Sequence, residues 1–339
     1  IVDGNSAEPY CGGEEMSQVT MIVPCFNCEG TVEKTLESLR LQTFQDLTVM
    51  AINDGSTDRT GDVLLAYQKS HPEMDLVLYT KKNEGIAEAR NFGLDHVNTP
   101  YFGFLDSDDI AEPDMVADLY AKMTGEHLQV VVSNFYWTWP DHEQVQKEGP
   151  YGAGQDMMVS LFAVLWNKLY DTEFVRKSGV RFPRGDRYED NYFLYCLTMF
   201  VERLGFVDRP YVHYLQHTGS ITHNNNEQVK NMIDVFERIL AWYRQHGTYD
   251  AYRDGLEYIT IKAFLGNSFL RSCKIDDASD RKATVRLGWD LLNREFPNWH
   301  KNPYLKSLGG LKNRYFSMVH GWNLGFLTWF FHYFGRDNV

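Results

Sequence analysis

The chain has 339 residues, of which 43% are hydrophobic and 23% charged, with a formal net charge of −13. That is enough apolar material for one large domain or two ordinary ones. The acidic balance excludes a general nucleic-acid binder, because phosphate contacts rely on clustered Lys and Arg.

Residues 1–15 carry Asp3, Glu8, Glu14 and Glu15, no Lys or Arg and no apolar run. They are not a secretory signal and read as a leader or tag-like segment ahead of Met16. The cysteines are Cys11, Cys25, Cys28, Cys196 and Cys273. Cys25 and Cys28 form a lone Cys-x-x-Cys, whereas a zinc site would want a second pair or histidines at ligand spacing. The thiols are read as reduced, in a cytoplasmic protein.

Val19 to Phe26 predicts a first buried strand, with Pro24 at its end and a turn over Asn27 to Gly30. Val32, Leu36 and Leu39 then fall at helical spacing. Leu47 to Ile52 is a second strand, closed by Asn53-Asp-Gly-Ser-Thr-Asp58, and Val63, Leu64 and Tyr67 supply the next helix face. Leu76 to Tyr79 is a third strand, after which Asn83-Glu-Gly85 turns into a helix with Ile86, Ala89, Arg90 and Leu94. Tyr101 to Leu105 is the fourth. This alternation predicts a mostly parallel sheet with helices on both faces, whose ligands bind outside the carboxyl ends of the strands. Further on come a strand over Gln129 to Tyr136, a polar stretch over Thr138 to Gln155, a helix over Met157 to Leu165, Trp166-Asn-Lys168, and the charged loop Arg184 to Asp190. That loop runs into an apolar helix, Tyr192 to Phe200. A strand over Val212 to Gln216 leads to His217, and from Asn226 onward the pattern is helical.

The fourth strand ends in acid. Asp106, Asp108 and Asp109 place three carboxylates in four positions, with Ser107 among them. Like charges so crowded repel unless a cation neutralises them, and an all-oxygen donor set suits Mg²⁺ or Mn²⁺. A solvated acidic turn is the other reading of the same residues.

Taken together, Ile22-Val-Pro-Cys-Phe-Asn27, Asn53 to Asp58, Asn83-Glu-Gly-Ile-Ala-Glu-Ala-Arg90, Leu105 to Asp109, Glu189-Asp190 and Ser220-Ile-Thr222 resemble the family 2 glycosyltransferases with the GT-A fold, in particular the bacterial branch that builds cell-surface polysaccharides. The resemblance covers residues 19–222 and implies an α/β GT-A domain over 16–225, followed by a helical region over 226–339. It implies an inverting, metal-dependent transfer from a UDP-sugar to a glycan acceptor, lipid-linked in such pathways, with Mn²⁺ or Mg²⁺ as cofactor. For the nucleotide it implies Pro24, Phe26 (where the family commonly has Tyr), Asn27 and Asp54. Asn83, Gly85, Arg90, Asp106 and Ser107 complete that set. Asp106, Asp108 and His217 are the implied metal residues, and Asp190 the general base. Glu189, Trp166 and Lys168 are implied to bind or support the acceptor.

The segment from Tyr315 to Phe334 is rich in aromatic residues, with no Lys, Arg, Asp or Glu, and follows Lys301, Lys306, Lys312 and Arg314. Aromatics beside cations suit a membrane interface, which would make the protein peripheral on the inner face of the plasma membrane. Helical packing, a contact between copies in a homo-oligomer, and a membrane span remain open for the same residues. So do three other functions. One is transfer to a protein-linked or soluble glycan; another is nucleotide-sugar binding without catalysis. The third is a dinucleotide-binding oxidoreductase, although Pro24 to Gly30 lacks the glycine fingerprint of that fold.

Overall fold

The structure, a computed structural model, describes residues 2–3, 17–185, 187–216 and 228–335. The strands are β1 (Val2–Asp3), β2 (Val19–Cys25), β3 (Leu47–Asp54), β4 (Leu76–Lys81), β5 (Tyr101–Phe104), β6 (Ile110–Ala111), β7 (Val130–Thr138), β8 (Glu143–Gln146), β9 (Lys168–Asp171) and β10 (Leu204–Leu215). The helices are α1 (Val32–Arg40), α2 (Thr60–Ser70), α3 (Ile86–His96), α4 (Met115–Gly125), α5 (Gln155–Ser160), α6 (Thr172–Ser178) and α7 (Glu189–Leu197). They continue with α8 (Gln228–Gln245), α9 (Arg253–Lys262), α10 (Ser268–Cys273), α11 (Ala278–Glu295), α12 (Pro303–Ser307), α13 (Gly310–Met318) and α14 (Leu324–Phe334).

The chain forms two compact units. The first comprises Ile1–Tyr151, Leu161–Gly185 and Phe200–Thr218, and contains every strand among the described residues; the second comprises Gly152–Ser160, Asp186–Met199 and Gly219–Val339. In the first unit the sheet runs β1-β4-β3-β2-β5-β9-β7-β10-β6, with β8 paired to β7. The four strands expected at the start of the chain pair in parallel. Every residue of β2 is buried, as in a strand covered on both faces. Val19, Met21, Val23 and Cys25 enter the core that α1, α2 and α4 close. Ile22 and Ile52 face the other way, against Gly93 of α3.

Beyond β5 the expected parallel order gives way to a mixed sheet. β9 is antiparallel to both β5 and β7, and β8 and β6 are antiparallel to their neighbours. Of these pairs only β7 and β8 are joined by a short connection, which returns a strand antiparallel. β10 begins at Leu204, eight residues before the expected start. Asp208, Arg209 and Pro210 break the apolar pattern there, and its register on β7 shifts around Pro210. The helix expected over Met157 to Leu165 ends at Ser160, because the carbonyls of Phe162 and Val164 turn to the ammonium of Lys168.

The second unit is helical. Val235, Phe236, Ile239 and Tyr243 of α8 are buried, as are Leu291 and Leu292 of α11, with Phe296 and Trp299 behind them.

A Cβ added to Gly93 would lie 2.7 Å from Ile22 Cγ2 and 3.2 Å from Ile52 Cδ1. Gly93→Val should lower stability by about 1–3 kcal/mol through overpacking. Urea unfolding monitored by circular dichroism checks this, with a lower midpoint and an unchanged slope expected.

Candidate active site

The carboxyl ends of β2, β3, β4 and β5 lie side by side in the first unit, and the turns leaving them brace one another. After β2, Asn27 adopts a left-handed φ of 48°, a conformation Asn tolerates better than most residues. Its side-chain oxygen accepts from the backbone N of Thr57 at 2.8 Å and of Asp58 at 3.4 Å, while its own N–H donates to Ser56 Oγ at 3.1 Å. Next to it, Phe26 is 47% exposed, an aromatic face held open on a fixed turn. Pro24 is buried within β2 beside Ile52 and shapes the turn from beneath. Gly55 has φ 65°, and a Cβ there would come within 2.6 Å of Asn83 N. Only glycine permits these two loops to approach so closely.

Asp54 is buried and fully engaged. Its carboxylate accepts from Lys81 Nζ at 2.8 Å, from Gly85 N at 2.8 Å and from Glu84 N at 3.2 Å. It thereby holds the Asn83-Glu-Gly85 loop, where Gly85 caps α3 with φ 92° and Asn83 is exposed. Burial opposes the charge on Lys81, but Asp54 and Glu84 outweigh it and raise its pKa. Sequence patterning missed Lys81, because polar Thr80 and Lys81 carry β4 past its apolar run.

At the end of β5, Arg90 from α3 donates to Asp106 Oδ1 at 2.7 Å. Arg90 is only 4% exposed, and its guanidinium lies 6.0 Å from the Phe104 ring and 5.8 Å from that of Phe182, within cation–π range. Asp109 is wholly buried. One oxygen accepts from Leu215 N at 3.0 Å, and the other, Oδ2, has no hydrogen-bond partner. Burial, then the charges of Asp106 and Asp108, raise its pKa well above the usual carboxylate range. The Cys28 thiol, to which Thr60 Oγ1 donates at 3.8 Å, has its pKa lowered to about 7 chiefly by Cys25, against burial, with Ser107 and Thr60 assisting.

The crowded oxygens fit a hard divalent cation, since positive charge is what the buried, unpartnered Asp109 Oδ2 lacks. Asp106 is already paired with Arg90, and Asp108 is half-buried beside it in sequence. Among the described residues no group of three or more His, Cys, Asp or Glu side chains is gathered as a complete metal cluster. His217 lies outside the described residues, as does Ser220-Ile-Thr222.

Trp166 and Lys168 are buried. The Trp166 ring packs edge-on to Phe135 at 4.7 Å and against Tyr214 at 5.2 Å. Lys168 Nζ donates to Val164 O at 2.6 Å, Asn167 Oδ1 at 2.7 Å and Phe162 O at 3.2 Å, so this ammonium pins the 162–168 loop. Here both residues support the fold of the loop.

In the second unit, Glu189 and Asp190 open α7. Glu189 is buried and Asp190 half-buried, its Oδ1 accepting from the backbone N of Asn191 at 2.7 Å. Tyr188 before them has φ 68°, a strained conformation for a bulky residue. Arg271 of α10 donates to the Tyr188 hydroxyl and lies 5.7 Å from its ring. Nothing in the sequence pattern links Arg271 to Tyr188, since 83 positions separate them.

The family model for glycosyl transferase family 2 matches residues 20–177. These residues belong to glycosyl transferase family 2. The match sets aside the dinucleotide-dependent oxidoreductase. The chain is 26% identical over 261 residues to the putative glycosyltransferase EpsH of Bacillus subtilis, covering 73% of this chain and 75% of that one. Among solved structures it resembles TarS of S. aureus in complex with UDP-GlcNAc, with a TM-score of 0.72, 18% identity and 88% of each chain covered. It also resembles the mannosyltransferase PcManGT of Pyrobaculum calidifontis in complex with GDP-Man and Mn²⁺, with a TM-score of 0.52 and 13% identity, covering 94% of this chain and 88% of that one. At such identities the structural likenesses show the fold, a GT-A domain followed by a helical region.

Lys168→Met strands three acceptors around an apolar side chain and should cost about 3 kcal/mol of stability. Thermal melting and calorimetric titration with UDP together test the loop-pinning role. Lower stability with UDP affinity within threefold is the expected outcome; loss of UDP binding at unchanged stability would instead make Lys168 a ligand-contacting group.

Proposed function

We propose that the family 2 domain transfers a sugar from a UDP-sugar to a hydroxyl of a cell-surface glycan acceptor carried on lipid, with inversion at the anomeric carbon. The observation that carries this reading is the row of strand ends in the first unit. Exposed Phe26 stands on one turn, and the Arg90–Asp106 pair adjoins Asp108 at another. That arrangement offers an aromatic face for a base and a charged end for a diphosphate. The UDP-GlcNAc bound to TarS supports the donor class, and the 38% identity over 94 residues to the teichoic acid poly(glycerol phosphate) polymerase of Staphylococcus epidermidis supports the acceptor class.

In this reading the uracil ring stacks on Phe26, while Asn83 and Gly85 line the ribose and diphosphate. Asp54 keeps that loop in place through its bonds to Glu84 and Gly85. Arg90 orients Asp106. Asp106 and Asp108 would hold Mn²⁺ or Mg²⁺, which when bound would supply positive charge against the negative charge developing on the departing UDP. Asp190 takes the proton of the acceptor hydroxyl as its oxygen bonds to C1 of the sugar. The bond from C1 to the diphosphate oxygen breaks with its electron pair leaving on UDP. A single carboxylate suffices for inversion, so Glu189 contributes by supporting its neighbour and the acceptor.

Two experiments test this. Excess chelator should abolish transfer and Mn²⁺ restore it, while Asp108→Asn should remain folded and inactive; full turnover in chelator would remove the metal from the mechanism. Asp190→Asn should lower turnover by roughly 10²–10⁴, the usual contribution of a positioned base, with donor affinity by calorimetry held within a few-fold. Near-native transfer by Asp190→Asn alongside a dead Glu189→Gln would move the base to the neighbour. A protein that binds UDP-sugar yet neither hydrolyses nor transfers it under any of these conditions is a binding module.

A further inference from the structure

The last two helices of the second unit leave an apolar surface uncovered. α13 is anchored by buried Phe316 and by Asn313, whose Oδ1 accepts from the Tyr258 hydroxyl at 3.0 Å. α14 is anchored by Leu324, by Phe331 edge-on to Phe269 at 6.0 Å, and by His332, which bonds Cys273 O at 2.8 Å. The Tyr315 ring meets Phe331 at 5.8 Å and ties α13 to α14. On α14, Phe326, Trp329, Phe330, Tyr333 and Phe334 remain between 41% and 64% exposed. Their rings form one connected run, with centroids 5.3 to 6.3 Å apart. Leu311 and Trp322 are more exposed still, at 83% and 84%. Scattered apolar side chains are ordinary on a soluble surface, but a connected run of them marks an interaction site.

The charge around this surface narrows the partner. Residues 296–336 contain Lys301, Lys306, Lys312, Arg314 and Arg336 and no Asp or Glu, in a chain whose net charge is −13. Lys306 and Arg314 are exposed, whereas the Lys312 ammonium lies 5.9 Å from the buried Phe316 ring and burial lowers its pKa. A second copy meeting this face with the same face would set cation against cation, whereas an anionic lipid surface complements it. A span is excluded for α14, because 11 residues rise only about 16 Å against a hydrocarbon core of about 30 Å. No helix among the described residues is long and apolar enough to cross a membrane. Short helices with aromatics on one side and cations nearby suit the plane of the interface.

We propose that α13 and α14 dock on an anionic phospholipid bilayer, with the aromatic run entering the boundary between headgroups and acyl chains and Lys306 and Arg314 meeting lipid phosphates. The proposal is independent of the transfer reaction, because docking needs neither donor nor acceptor.

The test is sedimentation of the full chain with vesicles of phosphatidylcholine mixed with phosphatidylglycerol, compared with phosphatidylcholine alone. Binding to the anionic vesicles is expected to be at least roughly tenfold stronger, and tryptophan emission should shift to the blue. The charge reversal K306E/R314E should remove that preference, by about fivefold or more per charge. The pair W322S/W329S should weaken binding by roughly tenfold or more at an unchanged melting temperature, since both side chains are exposed. Equal binding to both vesicle types, or undiminished anionic binding by both variants, overturns the proposal. So does a dimer in solution that W322S/W329S dissociates while the parent chain ignores vesicles.

Discussion

Three carboxylates at the end of a buried strand repel one another, and the first unit is arranged around containing that repulsion. Arg90 takes one charge, that of Asp106, while Phe104 and Phe182 enclose its guanidinium. Leu215 N takes one oxygen of Asp109 and leaves the other unpartnered. In a low-dielectric setting such a remainder is costly unless a proton or a cation answers it. Burial, then the charges of Asp106 and Asp108, raise the pKa of Asp109, which favours a proton there.

The rest of the site is a frame for this corner. Its turns hold each other through side chain to backbone bonds: Asn27 to Thr57 and Asp58, Ser56 to Asn27, and Asp54 to Glu84 and Gly85. Asp54 shows how a buried carboxylate can position a loop without exposing an oxygen. Buried and paired with Lys81, it fixes the loop that presents Asn83. Lys168 does comparable work further along, closing three acceptors under the 162–168 loop. Fixed turns allow ligand-contacting groups to be aimed before a ligand arrives, which lowers the entropic cost of binding.

The second unit follows a different logic. Its helices share an apolar interior around α8 and α11, and it places strain at one point, the left-handed Tyr188 that opens α7. A side chain from α10, Arg271, secures that point. The same unit leaves its last two helices only half covered. Their anchors, Phe316 and His332, hold the backbone while the aromatic run faces outward, so the local helix is stable whether or not a partner is present.

Hydrophobic periodicity alone determined the parallel half of the sheet, because β2, β3 and β5 are continuous apolar runs bounded by turn residues and can form little else. The order of motifs likewise determined the family, and the spacing of Asp106, Ser107, Asp108 and Asp109 identified the acidic corner. What the sequence could not decide depends on contacts between residues far apart in the chain. β10 is interrupted by Asp208 to Pro210 and becomes a strand only by pairing with β7. Lys168 has the sequence look of a surface charge until Phe162, Val164 and Asn167 close around it. Whether the aromatic segment from Tyr315 to Phe334 is core or surface is undetermined by its composition. Its helices are too short to span, and which of its rings find partners in α10 is settled by packing, a property of the folded chain that no local pattern encodes.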